Sequence, residues 1–96
     1  MIFRGVGALV LKGEAILEPV ENVVEYQPSQ QGRMGRIDGR LVGLTPIDGI
    51  RLMTTKGISD PNTDLALRMD DGRSWYCNLL NNDGLLNNRG GFEPEL

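Results

Sequence analysis

The 96-residue chain carries 10 Lys and Arg against 13 Asp and Glu, a formal net charge of −3, and its hydrophobic content of 40% includes only five aromatic residues. That length suits one domain with one mainly aliphatic core, and the acidic balance excludes a protein whose whole surface attracts nucleic acid or anionic lipid. With no histidine, Ser-His-Asp and Cys-His nucleophilic systems and the common zinc sites are also excluded.

Four Asp-Gly dipeptides, at 38–39, 48–49, 71–72 and 83–84, punctuate the chain, where random placement of its residues gives about one. Asp-Gly between β-rich segments is a strong hairpin signal, because Asp tolerates tight turns and Gly takes positive φ without penalty. In chain order, Ile2 to Leu11 reads as a first strand closed by the turn Lys12-Gly13. It is too short for a membrane span and lacks the small-residue cleavage site of a signal peptide. Cys77 is the only cysteine, so no internal disulfide forms, and a soluble cytoplasmic protein is expected. The first strand is apolar on both parities apart from Arg4, Gly5 and Gly7. Gly5 and Gly7 share a parity, which predicts a strongly bent strand, or another backbone or ring close against it.

Ala15 to Gln27 is ambiguous. Glu14, Glu18, Glu21 and Glu25 fall at helical spacing, while Pro19 and three valines oppose a long helix. The reading favoured is two short strands, Ala15–Val20 and Val23–Gln27, turning at Glu21-Asn22. The alternative is a short helix over 19–27 with Pro19 in its first turn. Pro28 to Gly32 is a polar loop, followed by a hairpin of Arg33–Ile37 and Arg40–Leu44 around Asp38-Gly39. Thr45 to Gly49 reads as a longer turn into a strand Ile50–Thr55, and Lys56 to Asn62 as a loop.

The hairpin Asp64–Leu80 fixes its own register. A two-residue loop at Asp71-Gly72 mixes polar and apolar groups on each face. A three-residue loop, Asp70-Asp71-Gly72, sets Leu67 opposite Trp75 and gathers Leu65, Leu67, Met69, Trp75, Cys77 and Leu79 on one face. Since a one-residue slip inverts every side chain, the three-residue loop is predicted, with Gly72 at positive φ. The repeat Leu79-Leu80-Asn81-Asn82-Asp83-Gly84 and Leu85-Leu86-Asn87-Asn88-Arg89-Gly90 predicts two successive turns with a short strand between, since two copies are too few for a solenoid. Residues 91–96 read as an edge segment or tail. No composition break divides the chain. The whole, 1–96, is expected to be an all-β domain, a small antiparallel meander of about seven short strands closed as a barrel, with a β-sandwich as the alternative.

Motifs that carry chemistry are sparse. Trp75 is a candidate lining residue for an apolar ligand in the barrel mouth, with Tyr76 and Tyr26 as further aromatic candidates. Arg33, Arg36 and Arg40, interleaved with glycines, could contact phosphates, although the acidic balance weighs against nucleic acid, and edge protection is the alternative role. Asp60, Asn62 and Asp64 alternate as in the opening of a calcium loop, but Leu65 stands where such a loop needs glycine, and an Asx-type turn accounts for the same residues. Asp70-Asp71 is the obvious carboxylate pair, placed in a loop where solvent keeps both ionised. Cys77, on the apolar face, reads as inert packing. The expectation is a non-enzymatic binding module that self-associates, without cofactor or membrane partner, possessed of a site for a small apolar ligand. A nucleic-acid-binding barrel and a small carboxylate enzyme are the alternatives.

Overall fold

The computed structural model describes residues 1–32, 35–60 and 62–94. Along them run β1 (Ile2–Leu11), β2 (Glu14–Gln27), β3 (Arg36–Val42), α1 (Pro46–Thr54), β4 (Leu65–Arg68), β5 (Ser74–Leu79) and β6 (Leu85–Glu93). All neighbouring strands are antiparallel and close into a barrel in the order β1-β2-β3-β6-β5-β4. The barrel, and not the sandwich, is therefore the architecture. It consists of two three-stranded meanders, β1-β2-β3 and β4-β5-β6, linked through α1 and zipped along the β1/β4 and β3/β6 seams.

The inward parities fill the interior. Leu9, Val24, Leu65, Leu67, Trp75 and Cys77 are fully buried, joined by Val20, Leu41, Leu52, Ile58, Met69, Leu79, Leu86 and Phe92. Four of the five aromatics converge at one end, where the Phe92 ring lies 6.1 Å from Phe3, 5.8 Å from Tyr26 and 6.4 Å from Trp75. The indole N–H of Trp75 donates to Asn88 Oδ1 at 3.0 Å, so this buried donor is satisfied.

The β4–β5 hairpin has the predicted three-residue loop. Leu67 pairs with Trp75, Arg68 with Ser74 and Ala66 with Tyr76, and Gly72 has φ of 92°. The bare face of β1 has the predicted backbone neighbour at Gly7 and, at Gly5, a carboxylate in place of a backbone or ring. The Arg68 carbonyl occupies the space a side chain at Gly7 would need, and the Asp70 carboxylate that at Gly5.

Four expectations are overturned. β2 is one continuous strand, with neither a turn at Glu21-Asn22 nor a helix over 19–27. Its register against β1 shifts twice, because β2 uses three steps from Leu17 to Val20 for two of β1, and two steps from Ala15 to Leu17 for one. These bulges absorb Pro19, which has no N–H to give a ladder, and they stretch a two-residue period into an apparent helical one. The second correction is at Asp38-Gly39, which sits mid-strand in β3, paired on one side with Glu25 and Val24 and on the other with Asn87 and Leu86. Gly39 is required there by space: a Cβ would come within 2.5 Å of Trp75 Cζ3.

Thirdly, Pro46–Thr54 is a helix, so neither the turn at Asp48-Gly49 nor the strand Ile50–Thr55 exists. Thr45 caps it, its hydroxyl accepting the Asp48 N–H at 3.2 Å, with Pro46 opening the first turn. Leu52 and Gly49 face the barrel, Gly49 tight against the Asn82 carbonyl of the β5–β6 turn. Lastly, only the first copy of the six-residue repeat makes a turn. In the second, Arg89 and Gly90 are looped out as a bulge between the pairs Cys77–Asn88 and Tyr76–Gly91, and Phe92 and Glu93 continue the ladder instead of forming a tail.

Candidate interaction face

On the outside of β1, β2, β3 and β6 the ladders align side chains into rows. One row runs Ile2, Glu25, Asp38, Asn87. The next runs Arg4, Val23, Arg40, Leu85, and the third Val6, Glu21, Val42. Side chains of one row stand about 4.5–5.5 Å apart across each ladder, close enough to act as a single surface. Ile2 is 56% exposed, Val6 47% and Leu85 44%, while Val23 and Val42 are half-buried. Leu80, also exposed, adjoins Leu85 through its backbone N–H to the Leu85 carbonyl at 2.8 Å.

Two shallow grooves of about 360 and 380 Å³ lie on this face, and both are lined by Arg4, Val23 and Arg40. Arg4 and Arg40 flank Val23 from its two neighbouring strands and are exposed. Neither forms an ion pair among the described residues, whereas Arg36 is engaged by Asp38 on its own strand. Carboxylates border the arginines on both sides: Glu25 and Asp38 in the first row, Glu21 in the third. The face therefore interleaves apolar and charged side chains, and it alternates in charge along the strand direction.

The residues singled out from sequence distribute unevenly around this surface. Arg40 belongs to it, Arg36 lies at the start of β3 and is tied to Asp38, and Arg33 lies outside the described residues. Arg4, Val23 and Leu85 were missed. Their signal was the presence of Ile2, Val6 and Val10 on the parity of β1 that faces outward, since a strand apolar on both parities is ordinarily covered on both faces.

Trp75 and Tyr26 meet through Phe92 inside the barrel, where Trp75 has no exposed surface. Tyr76 is on the opposite face of β5. Its hydroxyl donates to Glu93 Oε2 at 2.9 Å, which pushes its pKa up, and the looped-out Arg89 stands 5.6 Å from the ring centroid. Beside it a smaller depression of about 200 Å³ is lined by Val10, Ala66, Arg68 and Ser74.

Asp60 and Asn62 form the Asx-type turn: Asp60 Oδ1 accepts the Asn62 N–H at 2.9 Å. Asp64 lies 3.8 Å from Arg89. Among the described residues no three of His, Cys, Asp and Glu are grouped to hold a metal. The Asp71 carboxyl is held below its ordinary value, first by the Arg73 backbone N–H at 2.9 Å and also by its guanidinium at 2.6 Å. Acid–base catalysis asks for a shift in the other direction. Burial pushes the Cys77 thiol up to about 12, so it carries no thiolate at neutral pH.

Fold and surface together define a small closed antiparallel barrel with a filled interior and a mixed apolar and charged outer face. The chain matches no protein-family model, no curated protein and no solved structure. No helix among the described residues is long and apolar enough to cross a membrane.

Proposed function

We propose that this protein is a non-enzymatic interaction module that self-associates through the outer face of β1, β2, β3 and β6. One observation supports the reading above the others: large apolar side chains and two arginines without described ion pairs lie together on that face, while the interior is packed. Contiguous exposed apolar surface rimmed by polar groups is characteristic of protein contact sites. A small apolar ligand at Trp75 would have to displace core aromatics, so the interior is the weaker choice. Phosphate binding is disfavoured on the same face, because Glu21, Glu25 and Asp38 surround Arg4 and Arg40 and a polyanion would meet a carboxylate beside each arginine.

Sedimentation velocity over a micromolar to millimolar series tests the reading. The wild type is expected to gain mass with concentration, and Val23→Glu to remain a monomer. A wild type of monomer mass throughout would remove self-association. Oligonucleotide binding at low salt that is lost in Arg4→Ala/Arg40→Ala would put nucleic acid in its place.

A further inference from the structure

The order of charge on this face constrains how two copies can meet. Sheets packed face to face by a two-fold axis form an isologous contact, in which residue i meets residue j and j meets i. An axis running along the strands through β2 preserves each row and exchanges β1 with β3. Arg4 of one copy would then lie on Arg40 of the other, Glu25 on Glu25 and Glu21 on Glu21. Arg4, Arg40, Glu25 and Glu21 would each face their own sign and Asp38 would lie on apolar Ile2, which opposes association.

An axis crossing the strands between the first two rows gives the reverse. It lays the Ile2, Glu25, Asp38 row of each copy on the Arg4, Val23, Arg40 row of the other. Asp38 then faces Arg40 of the second copy, twice by symmetry. Glu25 lies over Val23 and between the two arginines. We infer that the module pairs with a second copy of itself about this crossing axis, with Asp38 and Arg40 as the residues that specify the pairing.

The inference rests on the self-association proposed above, and charge reversal separates the two. In a contact of this symmetry Asp38→Arg sets arginine against arginine at both pairs, and Arg40→Asp sets aspartate against aspartate. Each variant alone should dimerise more weakly by on the order of tenfold or more, and their equimolar mixture should recover wild-type association, because both pairs become opposite again. The doubly exchanged chain, Asp38→Arg/Arg40→Asp, should dimerise with itself and not with the wild type.

Asp38 also holds Arg36, so a neutral readout guards against loss of fold. A mixture of Asp38→Cys and Arg40→Cys should be joined by a short bis-maleimide far more than either variant alone, with Cys77 shielded by burial. Association of the wild type without rescue in the mixture and without preferential cross-linking would overturn the crossing axis and leave self-association standing. A monomeric wild type would overturn both.

Discussion

The two faces of β3 are built from adjacent residues under opposite constraints. Inward, Ile37, Gly39 and Leu41 meet the core, and Gly39 is so close to the Trp75 ring that a single added carbon would collide with it. Outward, Asp38, Arg40 and Val42 line a surface with open grooves. The inner row carries stability, because its contacts are dense and dry. The outer row is free to carry recognition, because little of the fold depends on it. Substitutions on the inner row should test the first half of that contrast most severely. Trp75→Ala should lower the unfolding free energy by about 3–5 kcal/mol in chemical denaturation, the range for emptying a large aromatic site. Native tryptophan emission should be blue-shifted and move red on unfolding. Emission at the hydrated wavelength in the native state would contradict the burial of Trp75. Gly39→Val should cost about 1–3 kcal/mol by overpacking against the same ring.

The same dipeptide in two places shows what was legible in the sequence. Asp71-Gly72 makes a turn and Asp38-Gly39 does not. At 71–72 the flanking residues supply two apolar faces that agree only in one register, so local and long-range information coincide. At 38–39 the glycine answers to an indole more than thirty residues away, and no local pattern reports that contact. Bulges hid β2 in the same manner, by stretching an alternating period. The helix Pro46–Thr54 was different: its Thr-Pro-Ile-Asp start is a capping signature, and the Asp-Gly signal inside it concealed the cap. The barrel was visible because its best hairpin and its paired glycines were read correctly. The outer face was visible only in part, through Arg40, because rows across three or four strands need the register before they exist.

Gly72 separates the two glycine roles by a smaller effect. Its φ is 92°, and nothing lies within 4 Å of a Cβ placed there. The cost of Gly72→Val is therefore backbone strain alone, about 1–3 kcal/mol. Asn tolerates the left-handed region, so Gly72→Asn should recover much of that loss. Gly39→Asn should recover none, because crowding and not φ is the constraint. Equilibrium denaturation of the four variants decides it: equal penalties for Val and Asn at position 72 would contradict the strain account.

The hairpin loop adds a pH-dependent contribution. In the folded state the Arg73 backbone N–H and guanidinium keep the Asp71 carboxyl below its ordinary value of 3.8. A depressed folded pKa contributes stability above the unfolded value and loses it as pH falls towards the folded one. Asp71→Asn should thus cost about 0.2–1 kcal/mol at neutral pH, as expected of a solvent-exposed pair. The gap between variant and wild type should narrow below about pH 4. A gap that stayed constant into acid would mean that the carboxylate charge is not what the loop uses.

The outer row should show the smallest effect on the isolated chain and the largest on its association. Val23 is half-buried between Arg4 and Arg40, and a glutamate stem can cover the same surface while its carboxylate reaches water beside the two arginines. In dilute solution Val23→Glu should therefore shift the unfolding free energy by no more than about 0.5 kcal/mol. Raising the protein concentration turns that near-silence into a contrast. If folded copies pair and unfolded ones do not, mass action raises the wild-type unfolding midpoint with concentration. The Val23→Glu midpoint should stay fixed over the same series, because a carboxylate at position 23 is set against Glu25 of the second copy at both symmetric positions. Parallel rises in both proteins would move the contact away from this face. A large loss in dilute solution would instead show that the outer row shares the work of the inner one, and the division between the two faces of β3 would fail.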